Sequence, residues 1–471
     1  MSPGARPLDL AASWSRRRGE RNLLLACLGC VAIGFLLVLG SAHGAERPLV
    51  TTHLRPLLLY GASLAGLHLA LVALGHRGDQ ALVAVAAFLM GLGLLAQTRM
   101  GTIDRSESLL SGDLLLPLGL LVMVAMTGLF MDGRHRLLAQ RFWVWGGLSL
   151  ALVALLLATG QRFRGAVFGL GLSTPTELLK ITVVLFVAGF VDRHARQLWR
   201  WHPRYPLPPW EPLWQLFAFW IALTALLLIQ RDLGMVAILG IPLLALLVAG
   251  TGRVGYLVYG VLGASVLGLL ILGVFEHGGR RIAAWLDPFQ DPTGDGWQIL
   301  QGLSGLYSGG LWGEGFGLGS PAYTPIAESD FIYSVIGEEL GFVGCSVVIL
   351  FYLILFQRGL QITEQSRCGF GRLLAAGLTA VLATQTFLNV AGVTKLLPLT
   401  GVTLPLISQG GASLIVTSAS LGLLLAVSDT AQAKASRKHK GGGGGKAAAH
   451  PASRVSKRRG ATGRQPRREQ R

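Results

Sequence analysis

Charge is scarce in this sequence. Only 14% of its 471 residues are Asp, Glu, Lys or Arg, against about 25% in a soluble globular chain. With 52% apolar residues besides, the two or three soluble domains expected for this length are excluded. Cysteine is scarce too. There are four, and Cys27, Cys30 and Cys345 sit inside apolar runs, which excludes a disulfide framework. Cys27 and Cys30 form a C-x-x-C without a second ligand pair, so inside an apolar helix they read as small packing residues rather than a metal or redox site. Acidic residues are fewer than basic ones, and the net +17 would point to nucleic acid if it covered a folded surface. It does not. The 22 residues before the first apolar run and the segment beyond Ser428 hold +14 of it, leaving a nearly neutral apolar body and no nucleic-acid partner.

Long apolar runs are what the chain does have. A spanning helix needs about 20 mostly apolar residues, and such runs occur at Leu23–Gly40, Pro56–Gly75, Ala81–Gln97, Leu109–Met131, Phe142–Gly160, Leu178–Val191, Leu213–Ile229, Leu233–Gly250, Val254–Phe275, Phe331–Phe356, Leu373–Val393 and Val402–Ser428. The expected fold is therefore an all-α, polytopic transmembrane bundle of about twelve spans. Arginines cluster in the loops at Asp132–Arg141, Asp192–Tyr205 and Gln357–Arg372, which puts those loops and both termini in the cytoplasm. The first run is longer than the 7–15 residues of a signal peptide's apolar core, so it is expected to be retained as a span. The Gly-rich basic segment 429–471 reads as a disordered cytoplasmic tail, suited either to membrane lipid or to solubility and orientation alone.

One extracytoplasmic loop, Glu276–Asp330, exceeds all others in length, and long loops in compact proteins are usually functional. It carries Arg280, Arg281, Asp287, Asp291, Asp295, Glu314, Glu328 and Asp330 with Trp285, Trp297 and Trp312. Cations for an anion, carboxylates for proton transfer and aromatic faces thus share one interface. The glycine string Gly309–Gly319 follows no strand and is not a dinucleotide loop; it reads as backbone that approaches a partner closely or re-enters the membrane. Ionisable residues inside spans cost about 2.5–3.5 kcal/mol on insertion scales and are functional candidates by default. Glu177 and Lys180 share a helix face and can pair; Asp232, Glu338 and Glu339 are the others.

Four stretches together resemble the SEDS family (shape, elongation, division and sporulation proteins: FtsW, RodA, SpoVE). They are Arg164 with STPTELLK, in which Pro175, Glu177 and Lys180 keep the family register; Gln230-Arg-Asp-Leu-Gly234; the loop from Arg281 through DPFQDPTGDGWQ to SDFIYSVIGEELGFVG; and NVAGVTKLLPLTGVTLPLISQGGAS. Gly165, Thr174, Glu328 and Gln409-Gly-Gly-Ala412 depart from the usual residues, which leaves elongation, division or sporulation type open. The resemblance implies a ten-span core over residues 81–428, preceded by two additional spans in 23–80 and a basic N-terminus over 1–22.

The resemblance further implies a peptidoglycan glycosyltransferase in the bacterial cytoplasmic (inner) membrane, acting on lipid II and the growing glycan chain, with a class B penicillin-binding protein as transpeptidase partner. Asp291 is then the catalytic base; Arg164, Arg281, Lys395, Trp297 and Gln298 bind substrate. Glu177, Lys180, Asp232, Asp330, Glu338, Glu339, Ser408, Gly410 and Gly411 are structural or intramembrane polar residues. Asp-Pro followed by Gly is also an ordinary turn signal, which Asp287-Pro288 fits better than Asp291. No cofactor is specified; pyrophosphate chemistry is compatible with a divalent metal, but no ligand set is apparent. A flippase for lipid-linked precursors, or a non-catalytic scaffold of the division or elongation machinery, are the competing expectations.

Overall fold

The computed structural model describes residues 9–44, 54–101, 112–163, 166–168, 175–202, 207–274 and 276–441. Sixteen α-helices are formed among them. In chain order they are α1 Leu10–Arg16, α2 Arg18–Gly44, α3 Arg55–Ala73, α4 Gln80–Arg99, α5 Gly112–Phe130, α6 Leu137–Gln140, α7 Phe142–Thr159, α8 Leu179–Trp199, α9 Trp210–Gln230, α10 Leu233–Thr251, α11 Gly255–Val274, α12 Glu276–Leu286, α13 Trp297–Gly309, α14 Ile332–Gln365, α15 Gly369–Val393 and α16 Gly411–Gly441. The fold is all-α, with one small local departure. Gln161–Phe163 (β1) pairs antiparallel with Ala166–Phe168 (β2), with Arg162 opposite Val167.

Among the described residues nine helices are long and apolar enough to cross a membrane, or ten if the pair Leu114–Phe130 and Arg134–Gln140, bent by 83°, is one span. The twelve expected spans are therefore not all matched. Helices do occupy the two remaining positions, but α8 ends in Asp192, Arg193 and Arg196, and in α11 the apolar helix qualifies only over Gly255–Leu269. A membrane core about 30 Å thick asks for some 20 apolar residues, and neither helix offers them without charge or shortening.

The core of residues 1–432, which cluster as one compact unit, is formed by α4, α8, α15 and α16. Their buried residues include near-continuous runs such as Leu179–Val191 on α8 and Leu421–Val427 on α16. The closest packing joins α10 to α15, α14 to α15, α2 to α4 and α13 to α14. α2, α7, α9 and α11 instead turn apolar side chains such as Ile33, Val144, Ile221 and Leu262 outward, as helices facing lipid do. Local signals set the helix starts: Asp79 caps α4 by accepting the Leu82 N–H at 2.8 Å, and Asp232 caps α10 through the Met235 N–H at 2.9 Å.

Two ends of this unit carry its polar residues. One, the loop face, holds α12, α13 and the segments before α14 and α16. The other, the terminal face, holds α1, the α3–α4 turn and the end of α16 near Asp429.

Candidate active site at the loop face

Asp291 lies in the tight turn between α12 and α13. Its Oδ1 accepts the Gly294 N–H and its Oδ2 the Asp295 N–H, both at 3.0 Å, and its carbonyl accepts the Gly296 N–H at 3.0 Å. Gly294 must lack a Cβ, which would overlap the Asp291 carboxylate. The side chain is exposed. Asp287 makes a looser turn, accepting one N–H, from Phe289 at 3.1 Å. Both Asp-Pro pairs are thus turn residues in structure, and Asp291 is the more firmly held. A carboxylate gripped by two amides keeps one orientation while lone pairs on each oxygen remain free to accept a proton.

Arg281 lies on the amphipathic α12, one turn before Trp285, whose indole N–H donates to the Lys395 carbonyl at 3.0 Å. That bond docks α12 on the turn after α15, where Lys395 takes a left-handed backbone conformation (φ 60°). Arg281 acts electrostatically on both Asp232 and Asp330. Burial pushes the Asp232 carboxyl up, opposed by its helix-capping bond and by Lys180 and Arg281. Burial likewise raises the Asp330 carboxyl, opposed by the Ser329 hydroxyl and Arg281. Lys180 Nζ pairs with Glu177 Oε2 at 2.5 Å, and Lys180 is 3% exposed. Residues at the starts of α8 and α10 and just before α14 are therefore within electrostatic reach of Arg281 on α12 or of one another. The start of α10 is already capped by Asp232, so the positive side chains of this corner are Lys180, paired with Glu177, and Arg281.

The segment 402–409 threads through the same end. Ser408 Oγ accepts the Leu404 N–H at 2.8 Å and donates to the Ser329 carbonyl at 2.5 Å, while the Gln409 N–H donates to the Glu328 carbonyl at 2.7 Å. Gly410 precedes α16 and Gly411 opens it. Asn389 of α15 donates to the carbonyls of Asp330 at 2.9 Å and Val402 at 2.6 Å. A shallow groove lies beside this segment, between Leu94 and Gln97 of α4, Leu115 of α5 and Gln409.

The structure therefore gathers Glu177, Lys180, Asp232, Arg281 and Asp330 into one electrostatic neighbourhood, and ties Ser408 to it through Ser329. Trp297, at the start of α13, is 41% exposed, with half-buried Gln298 beside it. Glu338 and Glu339 form a separate centre on α14. Arg164 lies outside the described residues. Among the described residues no ion pair joins Asp291 to Arg281 or Lys395, and no group of three or more His, Cys, Asp or Glu is arranged to hold a metal. Of two residues that hold this end together, Asn389 stood in the NVAGVTK stretch without a role of its own, and Arg99 carried no motif. The signal for Asn389 was a polar side chain in an apolar run.

The family described as Cell cycle protein, comprising FtsW, RodA and SpoVE, matches residues 79–433. The chain belongs to this family. Among relatives of the FtsW/RodA/SpoVE family, it is 33% identical over 445 residues to "Peptidoglycan glycosyltransferase RodA" of Mycobacterium tuberculosis, covering 90% of this chain and 93% of that protein. It is 37% identical over 260 residues to "Probable peptidoglycan glycosyltransferase FtsW" of Geobacter sulfurreducens, covering 54% and 66% of the two. Among solved structures, a chain of a peptidoglycan synthase complex coordinating polymerization and crosslinking superposes with a TM-score of 0.61 at 28% identity, over 74% of this chain and 97% of that one. The family, the all-helical membrane fold and the loop-face site thus coincide in one molecule.

Proposed function

We propose that this chain is a peptidoglycan glycosyltransferase that polymerises lipid II into β-1,4 glycan at the outer face of the cytoplasmic membrane, with Asp291 as general base. The observation that carries the assignment of the base is the Asp291 carboxylate, exposed yet fixed by two backbone N–H bonds, in the loop that also carries Arg281 on α12. Asp291 takes the proton of the acceptor sugar's 4-hydroxyl as that oxygen attacks the anomeric carbon of the donor. The bond from that carbon to pyrophosphate breaks, and undecaprenyl pyrophosphate leaves. An α-linked donor and a β-linked product require inversion, in a single displacement without a covalent enzyme intermediate, as in inverting glycosidases. A positioned base of this kind contributes about 10²–10⁴-fold.

The leaving pyrophosphate gains charge that needs cations. Arg281 and Lys395, joined through α12 by the Trp285 bond, are the described candidates, and Arg164 is the third. Trp297 and Gln298 open α13 beside the Asp291 turn and are assigned to substrate contact. Both termini are cytoplasmic on this reading, and residues 1–80 add two spans to the family core. A class B penicillin-binding protein supplies the transpeptidase, and the basic tail meets anionic lipid. Purified Asp291→Asn should fold, bind lipid II and form no glycan, where wild type polymerises it. Full polymerisation by the variant removes Asp291 from this role, and translocation of lipid II without polymerisation by wild type returns the flippase reading.

A further inference from the structure

Arg99, the last residue of α4, reaches the far end of the long loop. Its Nη2 donates to the Gly319 carbonyl at 2.9 Å and its Nε lies 3.1 Å from Glu339 Oε1; the two side chains are 17% and 2% exposed. The Gly317 amide also acts on the Glu339 carboxylate, and Glu338 accepts the Ser320 N–H at 2.6 Å. The main chain continues the grip. The Glu314 and Gly315 N–H groups donate to the carbonyls of Glu338 and Glu339, and Phe342 and Val343 donate back to Gly310 and Leu311. These return bonds are available because α14 breaks at Gly341 (φ 65°, ψ −166°). A Cβ on Gly309 or Gly313 would overlap the carbonyl of Gly337 or Glu339, and one on Gly317 would overlap Ser41 of α2.

The gripped string continues directly from the C-terminal end of α13. Gly302, Gly305 and Gly309 let α13 lie against Phe331, Ser334 and Gly337 of α14, and the first turn of α13 carries the Asp291 turn. Arg99 is thus linked to Asp291 through the string, α14 and the full length of α13, about 20 Å of helix. We propose that Arg99 is a positioning residue for glycan transfer, which fixes the glycine string on α14 and, through α13, holds the Asp291 carboxylate in place. Arg99 touches no reacting atom. The inference rests on the functional reading above, so its test includes a readout independent of activity.

The experiment uses the full chain in lipid nanodiscs with lipid II, comparing wild type with Arg99→Ala, Arg99→Gln and Arg99→Lys. Expected for Arg99→Ala is at least a tenfold loss of polymerisation rate at saturating lipid II, with half-saturation within about twofold, and for Arg99→Lys a partial recovery of rate, because charge is restored but not the forked geometry. Hydrogen exchange is the second readout. Amides of Glu314 and Gly315 should exchange faster in Arg99→Ala, and so should those of Gly294 and Asp295, whose partner is the Asp291 carboxylate. Loosening confined to 314–315 with a wild-type rate overturns the proposal, as does a Lys variant no better than Ala. If Ala does not fold, Gln, which can still donate to the Gly319 carbonyl, takes its place; failure of both to fold assigns Arg99 to folding and overturns the proposal. A wild-type chain that forms no glycan removes the functional reading, while unchanged exchange at Gly294 and Asp295 is what removes the positioning role.

Discussion

The two ends of the unit use charge differently. At the terminal face the ionisable groups close on one another: Arg17 pairs with Glu20, Glu20 with His68 Nδ1 at 2.8 Å, Arg17 Nη1 with His76 Nδ1 at 3.0 Å, and His76 Nε2 with the Leu425 carbonyl at 3.0 Å. Arg17, Glu20, His76 and Asp429 are no more than 1% exposed. At the loop face the carboxylates of Asp232, Asp287 and Asp291 are held by backbone N–H groups, and Asp291 stays exposed. Four of the five described non-glycine residues with a left-handed backbone, Arg231, Ile326, Lys395 and Leu406, are at this end too. Such strain costs stability and persists where the surroundings enforce it, as at functional sites. Both ends hold ion pairs, Glu177–Lys180 and Arg99–Glu339 at the loop face included, and both hold carboxylates on backbone amides, Asp79 and Asp429 at the terminal face included. What sets the loop face apart is Asp291, a carboxylate held by backbone that stays exposed.

The largest effect separating the two ends is expected at Glu20. Glu20→Ala leaves Arg17 buried without its partner, and breaking a buried pair costs about 3–5 kcal/mol; thermal unfolding in detergent should show a sharp fall, with polymerisation per folded molecule retained. An unchanged melting temperature would make the terminal face a solvated surface. A smaller effect follows from His76. Burial, and then Arg17, push its imidazole down to about 4, opposed by the Leu425 carbonyl bond and Asp79. The folded state thus resists a proton that the unfolded chain accepts near 6.5, and stability present above 6.5 is lost as pH falls toward about 4. At most about 3 kcal/mol is at stake. His76→Gln should flatten this acid-side loss; an equally steep loss in the variant points to other groups. The smallest effect is expected at Asp287, whose carboxylate accepts one amide where that of Asp291 accepts two. Asp287→Asn should keep polymerisation within about threefold, the scale of an ordinary surface change, and a loss as deep as that of Asp291→Asn would mean the loop shares its base.

Helix positions were legible because lipid demands length and apolarity, and each expected run overlaps a helix; Val402–Ser428 becomes helical only at Gly411, because residues 402–409 turn back into side-chain and backbone bonds with the loop before α14. The span count was less so. Lys180, Asp192 and Arg193 interrupt α8, and hydropathy alone does not weigh a charged helix against its neighbours. The Glu177–Lys180 pair was readable because three residues along a helix is a contact distance. The terminal cluster was not: His76 meets Leu425 across 349 residues and Arg17 across 59, and no local pattern marks them. The glycine string announced close backbone approach, but not that its partner is the broken α14. Arg99 was not marked by the sequence at all, because its partners Gly319 and Glu339 belong to other elements.

The contrast between the ends is tested most directly by the same neutralising change at each. Asp291→Asn and Glu20→Gln would be purified side by side and measured for lipid II polymerisation per folded molecule and for melting temperature. The account predicts that Asp291→Asn loses polymerisation and keeps its melting temperature, whereas Glu20→Gln melts lower and polymerises normally when folded. Normal polymerisation by folded Asp291→Asn would contradict it.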